Sequence, residues 1–408
     1  MADSKQGYLL LLPPIASAAS FQHLKAIYGP PLTVVFSDLL SSVPKSTLID
    51  VDIALACPYL CGTQLVSRSK LFDRTQADLA TLYRLICVLL IELDDPDEAE
   101  RIDARVILLR YANDTPFGGI DCSSDKRFFH GPVFDLSSLA QSKRQWKSIF
   151  SLKNKDGDGM AETFLHFQRN AIVDRIESES LQLCEENYVQ PPISEVARRH
   201  VSVAVGGTFD HLHIGHKLLL TMTAFLLDNP ENKKCKEEQV MTIGITGNEL
   251  LRNKKYAEVL EPWQSRQQEI ANFLQSILCL QSSAGFCRAE GDISREDLSG
   301  FAVYVKLSES LTLRCVELKD PYGPPIHDEA ISALVVSAET KSGAEAINSK
   351  RIQKGWVPLD VYQVKIIEPL HQAKDGESNA DEANDKFQGK ISSTEIRRRI
   401  SARNSRIS

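Results

Sequence analysis

The chain has 408 residues, enough for two or three domains that each bury a core. Its composition, 43% hydrophobic and 25% charged, excludes a chain that is mostly disordered, collagenous or coiled coil. A formal charge of −7 gives it no overall electrostatic reason to sit on nucleic acid or anionic membrane, so any bound anion must be held by a local site.

Nine cysteines, an odd number without repeating intervals, predict reduced thiols and a cytoplasmic setting. The close pair Cys57 and Cys61 has no second pair at zinc-ligand spacing, so no metal site is expected. The longest apolar stretch, Leu79 to Leu93, is broken by Arg84 and Glu92 and is shorter than the roughly 20 residues of a spanning helix. It predicts a buried helix and no transmembrane segment.

In chain order, Tyr8 to Leu12 reads as a first β-strand, too short an apolar core for a secretory leader. The short apolar runs Leu32 to Phe36 and Val106 to Leu109 predict further strands around the Leu79 helix, hence an N-terminal α/β domain over 1–190. Gly118 to Asp125 reads as a polar loop and Lys153 to Gly159 as a turn. Asn154, Asp156, Asp158 and Gly159 resemble the start of a calcium loop, but the position that needs a bidentate Glu is Leu165. Pro191 and Pro192 place a linker near 186–198.

The second half alternates strand and helix. Val201 to Val205 runs into Gly206 and Gly207, and Ile214, Leu218, Leu219, Met222, Phe225 and Leu226 follow at helical spacing. Val240 to Ile245 gives a strand, and Ile270, Phe273, Leu274, Ile277 and Leu278 give a helix opened by Pro262. Strands are predicted at Phe301 to Leu307, Leu334 to Val336 and Val361 to Ile367, and helices at Ile326 to Ile331 and Ala344 to Lys354. Such alternation favours a parallel sheet with helices on both faces. Gln372 to Asp385 is almost wholly polar and reads as a mobile acidic insertion (372–386).

Two constellations carry chemistry. In Gly206 to His216 a strand enters a glycine turn, Thr208 follows, and His213 and His216 share one face of a helix start. A glycine pair alone is a turn, and two histidines three apart are equally a metal pair or a helix edge. Their conjunction after the first strand of a parallel sheet outlines a phosphate site. In the second, Ser392 and Glu395 predict a capping box, and the hydroxyls of Ser392, Ser393 and Thr394 with arginines on the next turn suit a polyphosphate.

Val201 to His216 resembles the HxGH signature of adenylyl- and cytidylyltransferases, and Ile391 to Arg397 (ISSTEIR) resembles their second signature. Within that group, residues 198–408 are most similar to eukaryotic phosphopantetheine adenylyltransferases. Gly244 to Leu251, Asp320 to Pro324, Leu334 to Thr340 and the run from Gly343 through Ile347, Asn348 and Arg351 add to the likeness. The resemblance implies a Rossmann-like nucleotidyltransferase fold and transfer of the adenylyl group of ATP to 4′-phosphopantetheine, giving dephospho-coenzyme A and pyrophosphate, with Mg²⁺ carried by ATP. It implies His216 at the α-phosphate, Thr208 at the transferring or attacking phosphate, and His213 with Gly206, Gly207, Phe209 and Gly215 on the nucleotide. Ser392, Ser393, Thr394 and Arg397 are implied at the β- and γ-phosphates, and Lys254 or Lys255, with Arg266, at the acceptor phosphate.

The chain contains no GxxxxGK[ST], so the kinase that completes coenzyme A in fused animal enzymes is not expected, and the layout resembles the fungal arrangement. A cytidylyltransferase acting on a phospho-alcohol shares the histidine signature. A non-catalytic scaffold of a coenzyme A-synthesising complex, docking through 1–190, is the competing reading of another class.

Overall fold

The computed structural model describes residues 5–15, 20–61, 67–93, 98, 100–112, 131–178, 198–228, 238–280, 293–297, 299–365 and 392–407. The expected polar loop at Gly118 to Asp125, the acidic insertion and nearly all of the linker lie outside them. Among the described residues no helix is long and apolar enough to cross a membrane, and Cys57, Cys61, Cys87, Cys279 and Cys315 are not joined in disulfides.

The first half holds a six-stranded sheet of β1 (Lys5–Leu12), β2 (Leu48–Ala56), β3 (Ile102–Arg110), β4 (Val133–Asp135), β5 (Trp146–Lys153) and β6 (Val173–Glu177). The order is β4-β3-β2-β1-β5-β6 and every pairing is parallel. β1 is central, so its leucine run is buried on both faces. Tyr8, Leu10 and Leu12 pack towards α1 (Phe21–Ser42) and α2 (Phe72–Glu92), whereas Leu9 and Leu11 pack towards α3 (Leu136–Ala140) and α4 (Lys155–Phe167).

Two expectations fail here. Leu32 to Phe36 lies inside α1, whose buried Leu24, Ile27, Tyr28, Leu32, Val35 and Leu39 keep a helical stripe through Pro30 and Pro31. The five-residue run was too short to show that period. Lys153 to Gly159 is the end of β5 and the first turn of α4: Asn154 Oδ1 accepts from Gly157 N at 2.8 Å, so it caps a helix, with Asp156 and Asp158 favourably placed in its first turn.

The second half is a seven-stranded sheet, β13-β12-β7-β8-β11-β10-β9. Its strands are β7 (Ser202–Gly207), β8 (Gln239–Thr246), β9 (Ile293–Asp297), β10 (Gly300–Lys306), β11 (Leu311–Leu318), β12 (Ala333–Ser337) and β13 (Asp360–Val364). β13, β12, β7, β8 and β11 are parallel, while β10 is antiparallel to both β11 and β9. The parallel sheet therefore carries an antiparallel addition at one edge. The reason is local: Ser308 Oγ accepts from Ser310 N and Leu311 N, closing a turn between β10 and β11 that is far too short for a crossover.

Helices α5 (Ile214–Phe225) and α6 (Trp263–Leu278) cover one face of this sheet and α7 (Lys341–Gln353) the other, and α8 (Ser393–Ile407) is the last helix. The helix expected at Ile326 to Ile331 is absent. A 3₁₀ turn spans Pro324–Ile326, and the buried Arg351 guanidinium takes the carbonyls of Pro325, Asp328, Glu329 and Ile331 that a helix would have used internally.

One apolar core runs continuously from α1 and α2 to α5 and α6. α5 is buried on nearly its whole circumference, since the sheet covers one side and α2 the other.

Candidate active site

From β7 the chain passes to β8 and β11 on one side and returns to β12 and β13 on the other. β7 is thus flanked by the point where strand order reverses, and open α/β sheets bind ligands in the crevice beyond the carboxyl ends there. A cavity of about 920 Å³ opens at that place, bordered by Gly206, Gly207, Thr208, His213, Gly215 and His216. Ser342 and Gly343 of α7 and Ser393 and Thr394 of α8 also border it, so α5, α7 and α8 all turn their N-terminal ends to it. Converging helix starts present unpaired N–H groups and partial positive charge, which suits a polyanion.

The two histidines stack, with ring centroids 3.8 Å apart and planes 19° apart. His213 is the N-cap of α5: its Nδ1 accepts from His216 N at 3.4 Å, which leaves Nε2 to donate to Ser393 Oγ at 3.3 Å. Burial and the neighbouring His216 hold His213 well below the ordinary histidine range. Burial pushes His216 down to about 4, so both rings are neutral at neutral pH. His216 Nδ1 is buried with no hydrogen-bond partner among the described residues. Orphaned buried N–H groups are rare, so the proton is assigned to Nε2, and His216 is a neutral donor.

The glycine turn is held from below. Phe209 is fully buried, its ring 5.3 Å from that of His216, and it adopts φ 52°, while His211 adopts φ 48°. A Cβ at Gly207 would lie 3.0 Å from the Phe209 ring, a tighter contact than most Cβ atoms make, so a side chain there would press on that ring. Phe209 therefore borders the cavity as a wall under the turn, with its ring turned into the core.

Asp210, to which the sequence assigned no role, is the hub of the site. Its fully buried carboxylate accepts from Glu261 N at 2.9 Å and from Arg397 Nη1 at 2.5 Å, and the Glu261 carboxylate accepts from His211 N at 2.6 Å. The only early signal was an acid between Phe209 and His211 with a candidate arginine far downstream. Arg397 also donates to Lys255 O at 3.0 Å and Thr394 Oγ1 at 3.2 Å, so all three of its nitrogens have protein partners. It ties the start of α8 to the glycine turn while itself bordering the cavity. Glu395 turns to Arg398 and Arg399, away from the capping position expected for it.

Arg266 is not among the residues that border the cavity. It is fully buried, and Nε, Nη1 and Nη2 donate to the carbonyls of Glu261, Thr208 and Thr246 at 3.0, 2.6 and 3.0 Å. It braces the Thr208 backbone from behind. Of the two candidate lysines, Lys254 borders the cavity, whereas Lys255 is tied in through its carbonyl to Arg397. Ser392, Ser393, Thr394 and Thr208 border the cavity. Asp320 was not foreseen as a shaper: its Oδ1 accepts from Tyr322 N and Gly323 N, forming a turn that sets Tyr322 on the opposite wall. Among the described residues no three His, Cys, Asp or Glu side chains converge to hold a metal ion.

Residues 1–186 match a family described as a domain of unknown function. An uncharacterised protein of Schizosaccharomyces pombe is 34% identical over 48% of this chain and 47% of its own, so the chain spans about half the length of that relative. The phosphopantetheine adenylyltransferase of Saccharomyces cerevisiae is 30% identical over 274 residues, 65% of this chain and 68% of that one. This chain belongs to the phosphopantetheine adenylyltransferase family. The phosphopantetheine adenylyltransferase of Thermococcus kodakarensis is 29% identical over 42% of this chain and 78% of its own. The share matched by the Saccharomyces member exceeds what 198–408 can hold, so the family likeness reaches into the first half. A solved structure of a protein of unknown function from Archaeoglobus fulgidus covers 41% of the chain at 22% identity with a TM-score of 0.26, too low to add to the fold seen directly in the sheets.

Proposed function

We propose that the chain transfers the adenylyl group of ATP to 4′-phosphopantetheine, giving dephospho-coenzyme A and pyrophosphate. The observation that carries the reading is the contact of His213 with Ser393, which brings the starts of α5 and α8 to one cavity. At about 920 Å³ that cavity lies at the upper end of ligand pockets, as two bound polyanions require.

In this reading an oxygen of the acceptor's phosphate monoester attacks the α-phosphorus. The new P–O bond forms as the bond to the β-bridging oxygen breaks, and that oxygen leaves with the electron pair as pyrophosphate. The nucleophile is already ionised near neutral pH, so no general base is required. Catalysis rests on positioning and on donors aimed at growing charge. Neutral His216 donates from Nε2 to an α-phosphate oxygen, Thr208 donates to the transferring or attacking phosphate, and the hydroxyls and N–H groups of Ser392, Ser393 and Thr394 hold the β- and γ-phosphates. Lys254 holds the acceptor phosphate. Mg²⁺ belongs here as the counter-ion that ATP brings.

The test is pyrophosphate release by the full chain with ATP or CTP, each paired with 4′-phosphopantetheine or phosphocholine. Release with ATP and 4′-phosphopantetheine alone is expected. Release with CTP and phosphocholine supports a cytidylyltransferase, and none with any pair supports a scaffold.

A further inference from the structure

The first half of the chain, whose residues 1–186 match a family without a described function, holds the histidine helix at both ends. Lys217 follows His216 directly, but its side chain turns away from the cavity. Its ammonium is 8% exposed, ion-paired with Asp103 and hydrogen-bonded to Ala104 O at 3.0 Å, both on β3 of the first sheet. At the other end of α5, Ser67 Oγ donates to Asp228 Oδ2 at 2.8 Å and Arg68 N to Asp228 Oδ1 at 3.2 Å. Arg68 Nη1 donates to Leu227 O at 3.2 Å, and its guanidinium lies 5.7 Å from the Phe225 ring centre. Between these anchors α2 packs along α5, and Phe72 of α2 meets Tyr362 of β13 with ring centres 5.1 Å apart. Arg144 of the first half also donates to Ser276 O and Cys279 O at the C-terminal end of α6.

A helix pinned at both ends and along one side has its axial position and rotation fixed by its partners, and a shift of about 1 Å at a catalytic group can cost on the order of 100-fold in rate. From the placement of Lys217 between His216 and Asp103 we infer that the first half is a positioning element of the active site: through the Asp103–Lys217 pair and the Ser67/Arg68–Asp228 anchor it sets where His213 and His216 stand. This rests on the functional reading above and adds to it that Asp103, Ser67 and Arg68 are positioning residues for the transfer, though none borders the cavity. The side chain of Asp103 is 41% exposed, so it can be changed without opening the core.

The test uses the full chain carrying Asp103→Asn, Asp103→Glu and Ser67→Ala, with Lys153→Ala, which breaks an exposed pair with Glu177 in the same half, as the control. Two readouts are taken: ¹H–¹⁵N imidazole resonances of His213 and His216 without substrate, and kcat with both KM values from pyrophosphate release. In Asp103→Asn the two imidazole resonances are expected to move while that of His166 on α4 stays. kcat is expected to fall about tenfold with both KM values within about twofold. Asp103→Glu is expected to recover most of the rate, Ser67→Ala to move the same resonances to a smaller extent, and the control to change nothing. A loss of general stability alone would lower the melting temperature without that split. Unmoved His213 and His216 resonances in Asp103→Asn and Ser67→Ala overturn the inference whatever the rate does. A parent chain that releases no pyrophosphate overturns the functional reading only, and the resonances then decide this one.

Discussion

Ser393 Oγ lies 3.3 Å from His213 Nε2, joining two helix starts that are 180 residues apart in the chain. Beside that contact Arg397 of α8 reaches Asp210 under the glycine turn, so the two signature segments are joined at one side of the cavity. Four consequences can be measured.

In the proposed reaction, replacing His216 by Ala removes a neutral donor from the α-phosphate and is expected to leave the fold in place. kcat is expected to fall about 10²- to 10³-fold, corresponding to about 3–4 kcal/mol, as for other lost oxyanion donors. Steady-state kinetics and a melting curve on the same preparation check it; unchanged kcat removes His216 from the mechanism.

Asp210 and Arg397 form a fully desolvated ion pair, and removing one partner leaves the other charge buried. Asp210→Asn and Arg397→Met are each expected to cost about 3–5 kcal/mol in denaturant unfolding, and the double variant less than their sum. Additive losses would show that the pair acts as two separate packing contacts.

The pH dependence of stability follows from His216. Its folded pKa, about 4, lies below the ordinary value of 6.5, so between those limits the unfolded chain binds more protons. Stability from this group is therefore complete above about 6.5 and declines as pH falls towards 4. Unfolding free energies of the parent and of His216→Gln at several pH values should show a shallower acid slope in the variant. The kcat profile should carry no His216 inflection between pH 6 and 8.

Lys254 and Lys255 are adjacent yet face different surroundings. Lys254→Ala is expected to raise KM for 4′-phosphopantetheine at least tenfold, roughly 1.4 kcal/mol or more, and Lys255→Ala to change it by less than twofold. Arg266→Lys, in contrast, should lower stability by about 2 kcal/mol, because an ammonium cannot reach the three carbonyls that the guanidinium holds. Equal KM effects from both lysines would contradict the placement.

The alternation of apolar runs with turn residues sufficed for the strand–turn–helix around Gly206 and His216, because glycine chemistry, helical period and sheet edge all act within a dozen residues. For the same reason β1, β3, β7, β8 and β12 were legible. Leu32 to Phe36 misled because β-branched residues report a local preference that the wider apolar stripe of α1 overrides. The edge hairpin at β10 and β11 was missed because its only mark is a turn built by Ser308.

Sequence alone determined the two segments that border the cavity and the residue types in them, since glycines, helix starts and hydroxyl donors lie close together in the chain there. Tertiary structure decided which protein partners the buried charges meet. Arg266 and Arg397 carry the same guanidinium whether they meet phosphate or protein, and only folding put backbone carbonyls and Asp210 in their reach. It also decided that the first half encloses α5, because a pairing such as Asp103 with Lys217 spans a distance along the chain over which no local pattern carries information.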